Sequence, residues 1–186
     1  MEVKGTIIMD YVRLIRSNKG LNWDKWLEPE DWEVINSEVL ASKWYPYALF
    51  RRLGWASYQE VAGGDPERVK SFGRFNMQNM LQLYHNLRVP GDPVASVNKM
   101  ARIWRNFFQG EGTESRITGS GDNWVTYQMK APDKEAEPEK IVAFAYQLCG
   151  QLLELVSAAN GRNPKEKVVS EGHSQYITIE WEPPEK

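Results

Sequence analysis

The residues best suited to metal binding or nucleophilic chemistry in this chain are two histidines and one cysteine. His85 and His173 lie far apart in the sequence, and neither has the short spacing to a second histidine that is typical of zinc sites. Cys149 lies within an apolar segment, where a thiol is usually an unreactive small side chain. The histidine spacing argues against a metal site. Because no nucleophile can be matched with a base, we also expect no enzymatic activity.

Pairs of an acidic residue and a proline mark the starts of the helices that must position these groups. Proline is favoured at the first helical position, and a preceding acidic residue can cap the helix or interact with its dipole. Apolar residues with helical spacing follow each pair. Four helix starts follow from these pairs, and His85 falls within the fourth of the six helices predicted in all. They cover residues 7–17, 29–40, 46–62, 66–88, 93–109 and 138–159.

The last third of the sequence changes to the alternation of β-strands. Between two predicted hairpins, residues 141–156 are apolar on nearly every side, which indicates a helix covered by a sheet and by other helices. Gly150 inside this helix predicts the close approach of another element. The strands of the hairpins are predicted over residues 114–118, 123–130, 167–170 and 175–182.

These elements predict an α+β fold in a single domain, residues 1–186. Residues 1–110 form its helical part. Residues 111–186 form a four-stranded antiparallel sheet with a long buried helix. Within the second strand, Val125, Tyr127 and Met129 face the same way, so Tyr127 is expected on the apolar side. A buried tyrosine needs a partner for its hydroxyl, either within the core or in a pocket.

The composition excludes several kinds of partner. The 186 residues carry a net charge of −2, and the lysines and arginines are scattered, so neither nucleic acid nor an anionic membrane is an expected partner. A single cysteine suits a reducing compartment, and no stretch reaches the length of a membrane span, so we expect a cytoplasmic protein. The chain is long enough to bury a core without disulfides.

Two short segments carry a resemblance to a known family. VKGTIIMDYVRLI (3–15) and FGRFNMQNML (72–81) resemble segments of bacterial haem-nitric oxide/oxygen binding (H-NOX) domains. The C-terminal order of a hairpin, a long apolar helix and a last strand ending in Ile179-Glu180-Trp181 is also similar. The same layout occurs in four-vinyl-reductase-like small-molecule binding domains. The resemblance implies an H-NOX-like fold and a sensory role in bacterial signalling.

The sequence departs from the haem-binding motifs that the resemblance implies. The family places a proximal histidine on the helix before the first hairpin, whereas residues 93–109 contain no histidine and Ala101 to Trp104 occupy the matching position. The family also binds the haem propionates through a Tyr-x-Ser-x-Arg motif. Here the matching residues are Tyr127, Met129 and Ala131, so the serine and the arginine are replaced. We therefore expect no haem and no other cofactor.

Three hypotheses for function follow. In the first, the chain is a haem-free sensor or carrier that binds a small apolar ligand between its helices and its sheet. In the second, aromatic side chains fill this pocket, and the chain is a protein-interaction module that forms a homodimer or docks on a signalling protein. In the third, His85 binds haem and the protein senses a gas. The residues predicted to bind the ligand are Tyr127, Met129, Trp104, Phe107, Phe108, Met100 and His85.

Overall fold

The computed structural model describes residues 1–110, 114–131 and 138–183. Its helices alternate with short connections in the first half, and the longest helix lies between two hairpins in the second. The α-helices are α1 (Gly5–Ser17), α2 (Pro29–Asn36), α3 (Tyr47–Glu60), α4 (Pro66–Leu83), α5 (Pro93–Arg105) and α6 (Pro138–Ala158).

The strands form two antiparallel sheets. The larger sheet has four strands in the order β4-β5-β7-β6, and it is the sheet that the sequence predicts. Its strands are β4 (Glu114–Gly121), β5 (Trp124–Lys130), β6 (Arg162–Glu171) and β7 (Ser174–Glu182). A smaller sheet of order β2-β1-β3, which the sequence analysis did not predict, joins three distant segments. They are β1 (Glu2–Lys4), β2 (Trp44–Pro46) and β3 (Phe108–Gln109). The α+β class is confirmed.

Proline begins four of the helices, as the acidic residue and proline pairs predict. The carboxylate of Asp65 accepts a hydrogen bond from the Glu67 amide at 2.9 Å, and that of Asp92 accepts one from the Ala95 amide at 2.8 Å. These side chains bond amide groups that have no partner within the first helical turn. The helix starts are therefore fixed by local chemistry.

Several helices end earlier than predicted because tertiary contacts claim the following residues. Helix α4 ends at Leu83, so the prediction that His85 lies on a helix is wrong. The chain turns after Tyr84, and the turn places Leu87 in the core with no exposed surface. Helix α2 ends at Asn36, and the residues after it have other partners: the Ser37 carbonyl accepts a hydrogen bond from Arg16, and the Leu40 amide donates to the Tyr45 hydroxyl.

Two glycines allow α4 and α6 to touch backbone to backbone. A Cβ added to Gly73 would lie 2.0 Å from the carbonyl oxygen of Gln147, and one added to Gly150 would lie 2.0 Å from that of Lys70. Each glycine thus faces the backbone of the other helix, and a side chain at either position would force the helices apart. The prediction for Gly150 is confirmed.

Helix α6 is the central helix of the core. Residues 140–158 are long and apolar enough to cross a membrane, so the expectation that no stretch reaches that length is wrong. However, 67% of the most apolar 18-residue stretch of this helix is buried inside the fold. Helix α4 covers it on one side and the larger sheet on the other. Burial in the core accounts for its apolar character.

Candidate functional site

A cavity of about 320 Å³ lies where the helical part meets the sheet and α6. Its wall includes residues of α1, α3 and α4 on one side, and of α5, β4, β5 and α6 on the other. This volume is at the lower end of the range of small-molecule sites. The aromatic side chains in its wall are Tyr11, Tyr47, Phe50, Tyr58, Phe72, Trp104, Phe108 and Phe144.

Phe144 of α6 joins the two hydrophobic clusters of the molecule at this cavity. Its ring meets that of Phe50 edge to face, with centroids 5.2 Å apart, and stacks on Trp104 at 6.2 Å. Trp104 therefore occupies part of the space between the helices and the sheet, but the cavity beside it stays open. The filled pocket of the second hypothesis is not what the structure shows.

The structure brings three of the predicted ligand-binding residues into the cavity wall. Trp104, Phe108 and Met129 line it. The other predicted residues lie elsewhere. Phe107, Met100 and Tyr127 are buried behind the wall, with at most 6% of their surface exposed, and His85 is exposed to solvent on the turn after α4.

Charged side chains in the described part of the wall are all positive, and they come from five different elements. Arg51 also places its guanidinium 5.8 Å from the ring centroid of Tyr47. A cavity with an apolar interior and a positive wall favours a molecule with an apolar body and a negative group. These residues are Arg51, Arg68, Arg105, Lys130 and Lys140.

A chain of side-chain hydrogen bonds leads from the cavity to the surface of α1. The Tyr11 hydroxyl, which lines the cavity, donates to the side-chain oxygen of Gln147. The Gln147 amide donates to Asn76 at 3.1 Å, and the Asn76 amide donates to Asp10 at 2.9 Å. Burial raises the pKa of Tyr11 well above its usual value, so its hydroxyl keeps its proton at neutral pH.

Tyr127 lies on the apolar face of β5, as the alternation in the sequence predicts. Its side chain is fully buried, and its hydroxyl has no hydrogen-bond partner among the described residues. Burial raises its pKa, while an interaction with the Ser115 hydroxyl and the charge of Arg105 oppose that rise. The two hydroxyls lie close together, but their contact does not meet the geometry of a regular hydrogen bond. The Ser115 hydroxyl is itself buried without a described partner, and Ser115 lines the cavity.

Sequence reasoning missed most of the wall. Phe144 and Gln147 belong to a helix that is apolar on nearly every side, so its sequence singles out no face. Tyr11 has a helical spacing to Ile8 and Ile15 that is typical of a core stripe, and all three are buried. A signal was present in Tyr47, Phe50 and Gly54, since a glycine inside an aromatic-rich helix leaves room beside the rings.

Solved structures of the same fold are H-NOX proteins, although no protein-family model and no curated protein matches the chain. A mutant H-NOX protein from K. algicida, solved in its Fe(II) unliganded form, is 14% identical over 96% of each chain, with a TM-score of 0.65. A structure from work on haem distortion in the H-NOX family is 12% identical, with a TM-score of 0.63 over 98% of this chain and 97% of that one.

A third structure with this fold is an oxygen-binding H-NOX domain related to soluble guanylate cyclases, solved as its oxygen complex. The two sequences are 12% identical, and the structures superpose over 97% of this chain and 96% of the H-NOX domain with a TM-score of 0.60. Identities this low carry the fold alone. The expectation that the chain has no cofactor is nevertheless overturned, because its structural neighbours are haem proteins and the fold therefore points to haem.

The described cavity wall fits some parts of a haem better than others. Its apolar rings suit a porphyrin, and its positive side chains suit the two acid groups. No histidine lies in the described wall, and the described residues contain no cluster of three potential metal ligands. The iron donors that the wall offers are the thioether of Met129 and tyrosine hydroxyls, both of which ligate iron in other haem proteins. Whatever the cavity binds, the chain has an H-NOX-like fold.

Proposed function

We propose that this chain is a cytoplasmic, single-domain sensor that binds a small molecule with a largely apolar body in the cavity between its helices and its sheet. One observation carries the proposal. An aromatic-lined space of about 320 Å³ lies at the junction of the two halves of the fold. A molecule bound there would contact residues of both halves, so its presence would change how they pack together.

Gly54 provides a direct test. A Cβ added to Gly54 would meet only the Tyr11 ring and its hydroxyl, at 3.8 and 3.6 Å, which are ordinary van der Waals contacts. Because Gly54 lies in the cavity wall on α3, a longer side chain would extend into the cavity rather than into the backbone. Gly54→Leu should therefore fill the cavity without unfolding the protein, and Gly54→Ala is its matched control.

The assay uses the neutral fluorescent probe N-phenyl-1-naphthylamine, whose emission rises in an apolar site. We expect saturable enhancement with the wild-type protein and with Gly54→Ala, and its loss in Gly54→Leu. Equal enhancement in all three proteins, each shown by circular dichroism to be folded, would place the probe elsewhere and contradict the proposed site. No enhancement in the wild type would contradict it as well.

The fold favours a second candidate, a haem-based sensor of a gas. Bound haem would supply an iron centre to which a gas can bind. Met129 lines the cavity, whereas Met100 is fully buried outside it, so the two methionines form a matched pair. If Met129 holds the iron, a Soret band formed with haemin should shift in Met129→Leu but not in Met100→Leu or His85→Ala. The absence of a saturable Soret band in the wild-type protein would exclude this candidate.

A further inference from the structure

One corner of the cavity has polar groups that make few hydrogen bonds within the described part of the chain. The corner consists of Ser115 on β4, Arg105 at the end of α5, and the Tyr127 hydroxyl just behind them. Ser115 and Arg105 line the cavity. The hydroxyls of Ser115 and Tyr127 are both buried without a hydrogen-bond partner among the described residues. Buried polar groups in folded proteins are nearly always paired, so two neighbouring exceptions at a cavity indicate a missing partner.

The charge of the corner indicates what kind of partner it is. Arg105 is an exposed residue, and among the described residues its guanidinium makes one long contact, 3.4 Å from its Nε to the carbonyl oxygen of Ala101. No described acidic side chain forms an ion pair with it. A guanidinium beside a hydroxyl donor matches the oxygens of a carboxylate, which accepts hydrogen bonds and carries the opposite charge.

Lys130 does not belong to this corner, although it also contributes to the wall. Ser115 pairs directly with Met129 across the strands, so their side chains share one face of the sheet. Lys130 follows Met129 and faces the other way, as does Gln128, whose amide donates to Ser174 and Tyr176. Lys130 is nevertheless part of the positive wall, so the control is taken from outside it: Arg102 lies three residues before Arg105 on α5, is exposed and does not line the cavity.

We propose that the ligand of this cavity is an organic acid with an apolar body, and that Arg105 and Ser115 bind its carboxylate while Tyr127 completes the hydrogen bonds behind them. This inference rests on the proposed function and adds the chemical class of the ligand. It also gives the unpartnered Tyr127 hydroxyl a role, since a carboxylate that bonds Ser115 orients that hydroxyl to accept from Tyr127.

The experiment measures the displacement of N-phenyl-1-naphthylamine by decanoate and by decan-1-ol, which differ only in the polar end. We expect decanoate to bind the wild-type protein on the order of 10-fold more tightly than the alcohol, the size of a hydrogen bond to a charged group. The preference should disappear in Arg105→Gln, weaken in Ser115→Ala and Tyr127→Phe, and persist in Arg102→Gln.

The outcomes separate this inference from the proposed function. If both compounds displace the probe equally, or if the acid preference survives Arg105→Gln, the acid subsite is refuted while the cavity still binds small molecules. If the preference falls equally in Arg105→Gln and Arg102→Gln, general charge rather than this corner attracts the acid, and the inference is again refuted. If the wild-type protein does not bind the probe, the proposed function fails, and this inference fails with it.

Discussion

Alanine at position 73 should destabilise the protein, although the same change at position 54 should stabilise it. Gly73 and Gly54 both lie inside helices, α4 and α3, and alanine favours a helix over glycine by about 1 kcal/mol. Their surroundings differ. A Cβ added to Gly73 would lie 2.0 Å from the Gln147 carbonyl oxygen, whereas one added to Gly54 would find only contacts of 3.6 Å or more.

The clash sets the size of the effect. Since real Cβ atoms come no closer than 3.0 Å to such an oxygen, α4 and α6 would have to separate by about 1 Å. Overpacking of this kind typically costs about 1–3 kcal/mol, and the crossing of two rigid backbones should lie at the upper end of that range. After the gain of about 1 kcal/mol in helix propensity, the net loss for Gly73→Ala is about 2 kcal/mol.

Thermal unfolding monitored by circular dichroism measures the effect. For a chain of this length, about 1 kcal/mol shifts the Tm by about 2–4 °C. We expect Gly73→Ala to melt about 4–8 °C below the wild-type protein, and Gly54→Ala to melt at or up to about 4 °C above it. If Gly73→Ala were as stable as Gly54→Ala, the two helices would not be in backbone contact, and the packing described for the core would be wrong.

Three further predictions concern buried polar groups. Tyr11→Phe should destabilise the protein by about 1–3 kcal/mol in urea unfolding, because the Gln147 oxygen loses its buried donor; no loss would show that water replaces it. Tyr127→Phe should not lower stability, since the hydroxyl that it removes has no described partner; a loss above about 1 kcal/mol would reveal one. Burial raises the pKa of Cys149 from 9.0 to about 12, so the folded state keeps a proton that the unfolded state releases, and stability should fall as the pH rises from 9 towards 12. The thiol should accordingly react with iodoacetamide at about pH 9 only after unfolding, and rapid labelling of the folded protein would contradict its burial.

The fold was largely predictable because its main signals are local. Proline fixes a helix start through its own geometry, and the alternation in β5 follows from the two faces of one strand. The smaller sheet could not be predicted, since its strands have three residues or fewer and pair across segments far apart in the sequence. The predicted ends of α2 and α4 were wrong for the same reason, because the residues after Asn36 and Leu83 make non-local contacts instead of continuing the helix.

The candidate site was less predictable than the fold. Trp104, Phe108 and Met129 were found because they lie near the junction of helices and sheet, but distance along a strand or helix does not show which buried side chains meet a cavity. Tyr127 is next but one to Met129 on the same face, yet only Met129 reaches the wall. The exclusion of haem failed for a different reason, since it inferred the absence of a cofactor from the absence of motif residues in an otherwise haem-binding fold.

The hydrogen-bond chain from Asp10 to Tyr11 decides which ligand groups the cavity accepts beside Tyr11. A carboxylate can only accept hydrogen bonds, so Asp10 fixes the amide of Asn76, which in turn fixes that of Gln147. Gln147 therefore presents its oxygen to Tyr11, and the only hydrogen of the Tyr11 hydroxyl is used. What remains towards the cavity is a lone pair. An alcohol or amine could donate to it, whereas a ketone or ether oxygen would meet repulsion, so a single aspartate at the surface fixes the polarity that the Tyr11 hydroxyl presents to the cavity.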